Sequence, residues 1–134
     1  MDSVEWLLHN DRPQIEIVIS LPGTGREQVR RLLADTGAGT RTDVFELILD
    51  EDDCSQCGGI PMQQVRLSGA FKGEFPVYLI DIRISAVGFD NAVPVVGVPK
   101  TPKGFDGLAC FRFLSRFSYG NLNNSDGFTL RIQT

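Results

Sequence analysis

Several things are scarce in this sequence, and each scarcity removes a class of function. No uncharged stretch approaches the roughly 18 apolar residues that a membrane-crossing helix requires. The opening residues MDSVEWLLHN lack the basic, apolar, then small-residue order of a signal peptide. Lys and Arg number 13, scattered along a chain of formal net charge −4, which leaves no clustered cationic surface for releasing counterions from nucleic acid. Neither a membrane nor a nucleic acid is therefore expected as a partner. The single histidine, His9, stands in a polar stretch with no Ser or Cys at recognisable spacing, so it reads as a surface residue and a serine or cysteine triad has no support. An odd count of 3 cysteines fits a reducing compartment better than a secreted disulfide framework, and a cytoplasmic location is expected. Cys54 and Cys57 form a C-x-x-C. A closed zinc site needs four ligands, though, and neither Cys110 nor His9 is at motif spacing, so the pair reads as two loop thiols with no metal or cofactor implied.

What is present describes one globular domain spanning residues 1–134. At 134 residues, 42% apolar and 22% charged, the chain is long enough to bury a single core. IEIVISL (15–21) is short, β-branched and apolar, hence a strand; PGTG makes a turn, and EQVRRLLAD returns as the second arm of a hairpin. Gly23 and Gly25 hint at a dinucleotide fingerprint, but Gln28 occupies the third glycine's place and no βαβ rhythm follows. The run Asp50–Asp53 reads as a solvated acidic loop, and CSQCGGIP (54–61) as a turn-rich loop after it. MQQVRLSGAF, EFPVYLIDIRIS and NAVPVVGV alternate apolar and polar residues between Gly-containing breaks, as an antiparallel meander does. LACFRFLSRF has the spacing of a helix that buries Leu108, Phe111, Leu114 and Phe117, and GFTLRIQT closes the chain as a strand.

Within this β frame, LLADTGAGT (32–40) sets one carboxylate between an apolar strand and a cluster of small residues. Asp35-Thr36-Gly37-Ala38 resembles the Asp-Thr-Gly-Ala signature of the aspartic proteases. FDGLACFRFLSRF (105–117) is similar to the second signature of the retroviral-type, single-domain members, and CSQCGGIP lies where those carry a glycine-rich flap. The resemblance spans about residues 15–132. It departs at Cys110, where the family usually has glycine, at Arg112, where an acidic or amide residue is common, and in the loop GTRTDV after Ala38. It implies a retropepsin-like closed β-barrel, one lobe per chain, with one α-helix in the C-terminal half.

The residues themselves explain why such a motif carries chemistry. A glycine after Asp-Thr lets the backbone turn tightly and bring its N–H to the carboxylate. Hydrolysis needs a water activated by a base while an acid polarises the scissile carbonyl, and two carboxylates about 3 Å apart do both because they cannot both ionise. This chain has one Asp-Thr-Gly, so the second acid must come from another copy, and a homodimer is required. The resemblance then implies an aspartic endopeptidase with Asp35 catalytic, Thr36 bracing the pair across the axis, and Gly37, Ala38 and Gly39 beside the acid on the substrate side. It also implies that Gly58, Gly59 and Ile60 close as a flap over an extended peptide or protein substrate, and the terminal TLRIQT is expected to pair with its mate in the dimer. Two alternatives stay open: Asp35 as a turn-forming residue that caps local amides, and a non-catalytic dimeric module that holds an extended peptide in the same groove.

Overall fold

The computed structural model describes residues 2–123 and 125–133. Its elements run β1 (Ser3–Leu7), β2 (Gln14–Ser20), β3 (Glu27–Ala34), β4 (Leu47–Asp50), α1 (Glu51–Gly58), β5 (Gln63–Leu67), β6 (Gly73–Ile84), β7 (Phe89–Val98), β8 (Gly107–Ala109), α2 (Phe111–Leu114), β9 (Phe117–Gly120) and β10 (Gly127–Ile132). The hairpin of β2 and β3 forms as the turn chemistry predicts, with Ser20 opposite Glu27 and glycines 23 and 25 at φ of 76° and 69°. The meander of β5, β6 and β7 is antiparallel throughout.

Six strands close a barrel. β3 lies parallel to β8, β8 antiparallel to β4, β4 parallel to β7 and β7 antiparallel to β6; β6 then meets β2 through Val18–Arg83 and Ile19–Ile82. β5 stays outside the ring as the free arm of its hairpin with β6. Consecutive strand residues point to opposite faces, and here both faces are covered. Leu32, Leu47, Leu49 and Val95 enter one apolar cluster, while Leu33, Ile48, Val96 and Leu108 enter a second. That is why these strands read as unbroken apolar runs. The second cluster forms the bed under the Asp35 loop, with Phe45, Phe105 and Phe71 of the β5–β6 hairpin around it.

Three expectations are corrected. The acidic run is not a loop. Asp50 caps α1, its side chain accepting the Asp52 N–H at 2.9 Å, and Glu51, Asp52 and Asp53 in the first turn favour the positive end of the helix dipole. Cys54 and Cys57 are accordingly helical thiols, Cys54 fully buried. The late helix is the single turn α2; Leu108 belongs to β8 and Phe117 to β9, because parallel pairing with β3 holds residues 107–109 extended. Finally, β10 is no free edge: it is the central strand of a sheet ordered β1-β10-β9, so both of its edges are paired within the chain. No helix among the described residues is long and apolar enough to cross a membrane.

Candidate functional site

β3 delivers Asp35 to the end of the barrel. The Ala34 N–H donates to the Pro13 carbonyl and the Asp35 N–H to the Ala109 carbonyl, both at 3.0 Å, which fixes the carboxylate's root between β2 and β8. The chain then turns on itself: the Gly37 N–H donates to Asp35 Oδ1 at 3.0 Å and the Ala38 N–H to the Asp35 carbonyl at 3.1 Å. The Ala38 carbonyl accepts the N–H of Phe111 at 3.0 Å, tying the loop to the start of α2. Gly39 adopts φ +76°, and a Cβ there would lie 2.7 Å from Asp43 Oδ2, the atom that accepts the Thr40 N–H. Arg112 donates to the Asp43 carbonyl and Arg41 lies over the Phe111 ring, so the GTRTDV loop has its own brace and Arg112 has a structural task.

One hydrogen bond to Oδ1 is also what a purely turn-forming Asp makes. The turn does not account for the space in front of it. A cavity of about 340 Å³ opens at Asp35, with Gly37, Ala38 and Gly39 on one side and Phe45 and Ile48 among its lining, and Asp35 is its one titratable lining residue. The opposite wall is the β5–β6 hairpin tip: Ser68, Gly69, Ala70 and Phe71, with Leu67 at the strand end. Thr36 is exposed, and its hydroxyl makes no hydrogen bond among the described residues.

Gly58, Gly59 and Ile60 are not brought to this cavity. Gly58 ends α1, where a Cβ would lie 2.8 Å from the Tyr78 Cβ, so its bareness serves the approach of the helix to β6. Gly59, at φ +69°, returns its N–H to the Ser55 carbonyl and terminates the helix, and Ile60 is 87% exposed. The hairpin tip that does wall the cavity carries its own signal in the sequence. QQVRL and EFPVYL are strand-like runs on either side of SGAFKG, whose Gly69 sits at φ +82°, the pattern of a hairpin loop.

Next in the chain to Phe45 lies an ion pair with one buried partner. Glu46, 1% exposed, accepts from Arg116 Nε at 2.6 Å and Nη2 at 2.7 Å, a bidentate geometry, and Arg116 also covers the Phe89 ring. The Glu46 carbonyl accepts the Cys110 N–H at 3.0 Å, linking this pair to the segment that carries α2. Burial pushes the Cys110 thiol up to about 12, with the negative charge of Asp35 adding to it, which makes it a small packed hydrophobe and no nucleophile. Cys54 is raised still more strongly by burial, and Cys57, half-buried, is raised chiefly by the same cause.

At this level fold and site define a mostly β domain: a closed six-stranded barrel with one Asp-Thr-Gly turn whose carboxylate faces a hairpin-walled cavity. Comparison of the chain with protein-family models, with curated proteins and with solved structures finds no match in any of the three.

Proposed function

We propose that the protein is an aspartic endopeptidase of retropepsin-like fold, active as a homodimer in which Asp35 of each subunit shares one proton and one water. The observation that carries this reading is a carboxylate rooted by backbone hydrogen bonds and turned into a cavity between the Asp-Thr-Gly loop and a hairpin tip. Because Asp35 is the cavity's sole titratable lining residue, one subunit supplies half of an acid–base pair, and a two-fold axis beside the exposed Thr36 supplies the other. The ionised member takes a proton from water as the water oxygen attacks the scissile carbonyl carbon. The protonated member gives its proton to the carbonyl oxygen, and collapse of the tetrahedral species breaks the C–N bond with a proton passing to the leaving nitrogen.

The flap of this enzyme is the β5–β6 hairpin tip, residues 67–71, in place of the segment around Gly59; its main chain would pair with an extended substrate as an added strand. Dimer contacts use the Asp35–Gly37 face, since both edges of β10 are occupied. A cytoplasmic location is part of the same proposal and is supported by three free thiols. The test is cleavage of a peptide library by wild type and Asp35→Asn, with molecular mass measured in solution. Wild type is expected to cleave as a dimer, and the substitution to lower the rate by about 10²- to 10⁴-fold, the usual worth of a positioned acid or base. Cleavage that survives the substitution, or cleavage by a strict monomer, rejects the mechanism.

A further inference from the structure

Asp35 belongs to two cavities. The second, of about 370 Å³, shares Asp35, Ala70, Phe71 and Leu108 with the first. The two adjoin at Asp35, and their linings differ chemically. Beyond Asp35, the first cavity carries no titratable side chain. The second is floored by Leu33 and Pro102 and carries Arg12 and Lys100.

Both cations stand on short, self-braced turns. His9 and Arg12 exchange backbone hydrogen bonds at 2.9 and 3.0 Å around Asn10 and Asp11, which sit at φ 52° and 61°, the two-residue turn that presents Arg12. The Arg12 guanidinium lies over the Phe105 ring, and half-buried His9 makes a T-shaped contact with the same ring. In the other turn, Thr101 Oγ1 donates to the Phe105 carbonyl at 2.8 Å and the Phe105 N–H returns to the Pro102 carbonyl at 3.0 Å, setting the base of Lys100. Among the described residues neither Arg12 nor Lys100 forms an ion pair, so each can still meet a carboxylate. Two cations with no ion-pair partner thus line one pocket with Leu33, Phe71, Pro102 and Leu108.

We propose that the Arg12–Lys100 pocket is a specificity subsite for an Asp or Glu side chain of an extended peptide lying in the Asp35 groove. This rests on the endopeptidase reading and adds to it a substrate class. The groove takes the stem of the side chain on Leu33 and Phe71 while the cations meet its carboxylate. In a two-fold dimer the pocket recurs on both sides of the scissile bond, so peptides with an acidic residue on either side are selected, and those with one on each side most strongly.

The test compares peptides that differ only in Glu against Gln at each flanking position. For wild type the ratio of kcat/KM, Glu over Gln, is expected to be roughly fivefold to tenfold, the effect of one or two partly exposed ion pairs. It should fall toward one in Arg12→Gln/Lys100→Gln and as salt is raised, and in Arg12→Glu/Lys100→Glu it should invert in favour of the Gln peptides. A parallel arm measures fluorescence-anisotropy binding of the same peptides to Asp35→Asn protein, with and without the Arg12 and Lys100 substitutions. Binding selectivity that depends on the two cations, with no cleavage by wild type, upholds the subsite and removes the endopeptidase. Cleavage with equal Glu and Gln rates, selectivity unchanged in the double variant, or no binding of acidic peptides overturns the subsite.

Discussion

Replacing Arg116 by Met isolates what holds the buried Glu46 carboxylate. Glu46 is 1% exposed and both carboxylate oxygens are engaged by Arg116, whose own side chain remains 41% exposed. The two partners are therefore unequal: removing the glutamate leaves an arginine that water can still reach, whereas removing the arginine strands a carboxylate in the core. Breaking a buried pair from that side costs about 3 to 5 kcal/mol, and the water able to enter where Arg116 was exposed places the expectation near the lower end, about 3 kcal/mol. Loss of the contact with the Phe89 ring adds about 0.5 kcal/mol. Glu46→Leu alone is expected to cost about 1 kcal/mol, and Glu46→Leu/Arg116→Met no more than about 2 kcal/mol, since an apolar pair of similar volume replaces the ions without stranding either. Urea unfolding of the four proteins, read by fluorescence of Trp6 and by circular dichroism, gives the cycle, and Arg116→Met should melt roughly 10 °C lower. A loss below about 1 kcal/mol for Arg116→Met, or a double variant worse than the sum of the singles, would refute the claim that Glu46 depends on this partner.

Three further outcomes are expected. Gly107→Ala should abolish the native unfolding transition or lower stability by at least about 3 kcal/mol, because its Cβ would lie 2.0 Å from the Ile48 carbonyl oxygen inside the β4–β8 pairing; a normal urea midpoint would contradict the register. Asp50→Ala should cost about 1 kcal/mol and speed amide exchange in residues 51–55, the loss of a helix N-cap; no change in either would mean the acidic run is a loop after all. Tyr78 is held up at about 12 by burial and by its hydrogen bond to Glu51, so its neutral form is favoured in the fold. Its contribution is complete below pH 10, and above that the unfolded chain gives up the proton while the fold keeps it, so stability falls by about 1.4 kcal/mol per pH unit up to pH 12. Tyr78→Phe should flatten that part of the profile in a pH series of urea midpoints, and an unchanged slope would sink the assignment.

Local order was legible in the chain. Alternation in IEIVISL and EFPVYLIDIRIS, the PGTG turn and the Gly-punctuated meander all mark elements that hydrogen-bond to sequence neighbours, and each formed where expected. Asp35 at the end of an apolar strand was legible for the same reason: the residues that turn the loop, Gly37 and Ala38, are adjacent to it. The helix α1 is also locally encoded, by an Asp cap, an acidic first turn and Gly59 at the far end, although a run of like charges equally suits a solvated loop.

What the sequence by itself determined is a mostly β chain with a single Asp-Thr-Gly turn, because alternation, turn residues and adjacent amides act within a few residues of one another. Only the tertiary structure decided which glycines face that turn and which segments form its floor. Gly69 lies 34 positions from Asp35, Glu46 finds Arg116 70 positions away, and β3 meets β8 across a similar span. Short-range patterning does not choose among such partners; the closing of the barrel does, since β4 and β8 must fill the gap between β3 and β7, and whatever they carry is then delivered to the site.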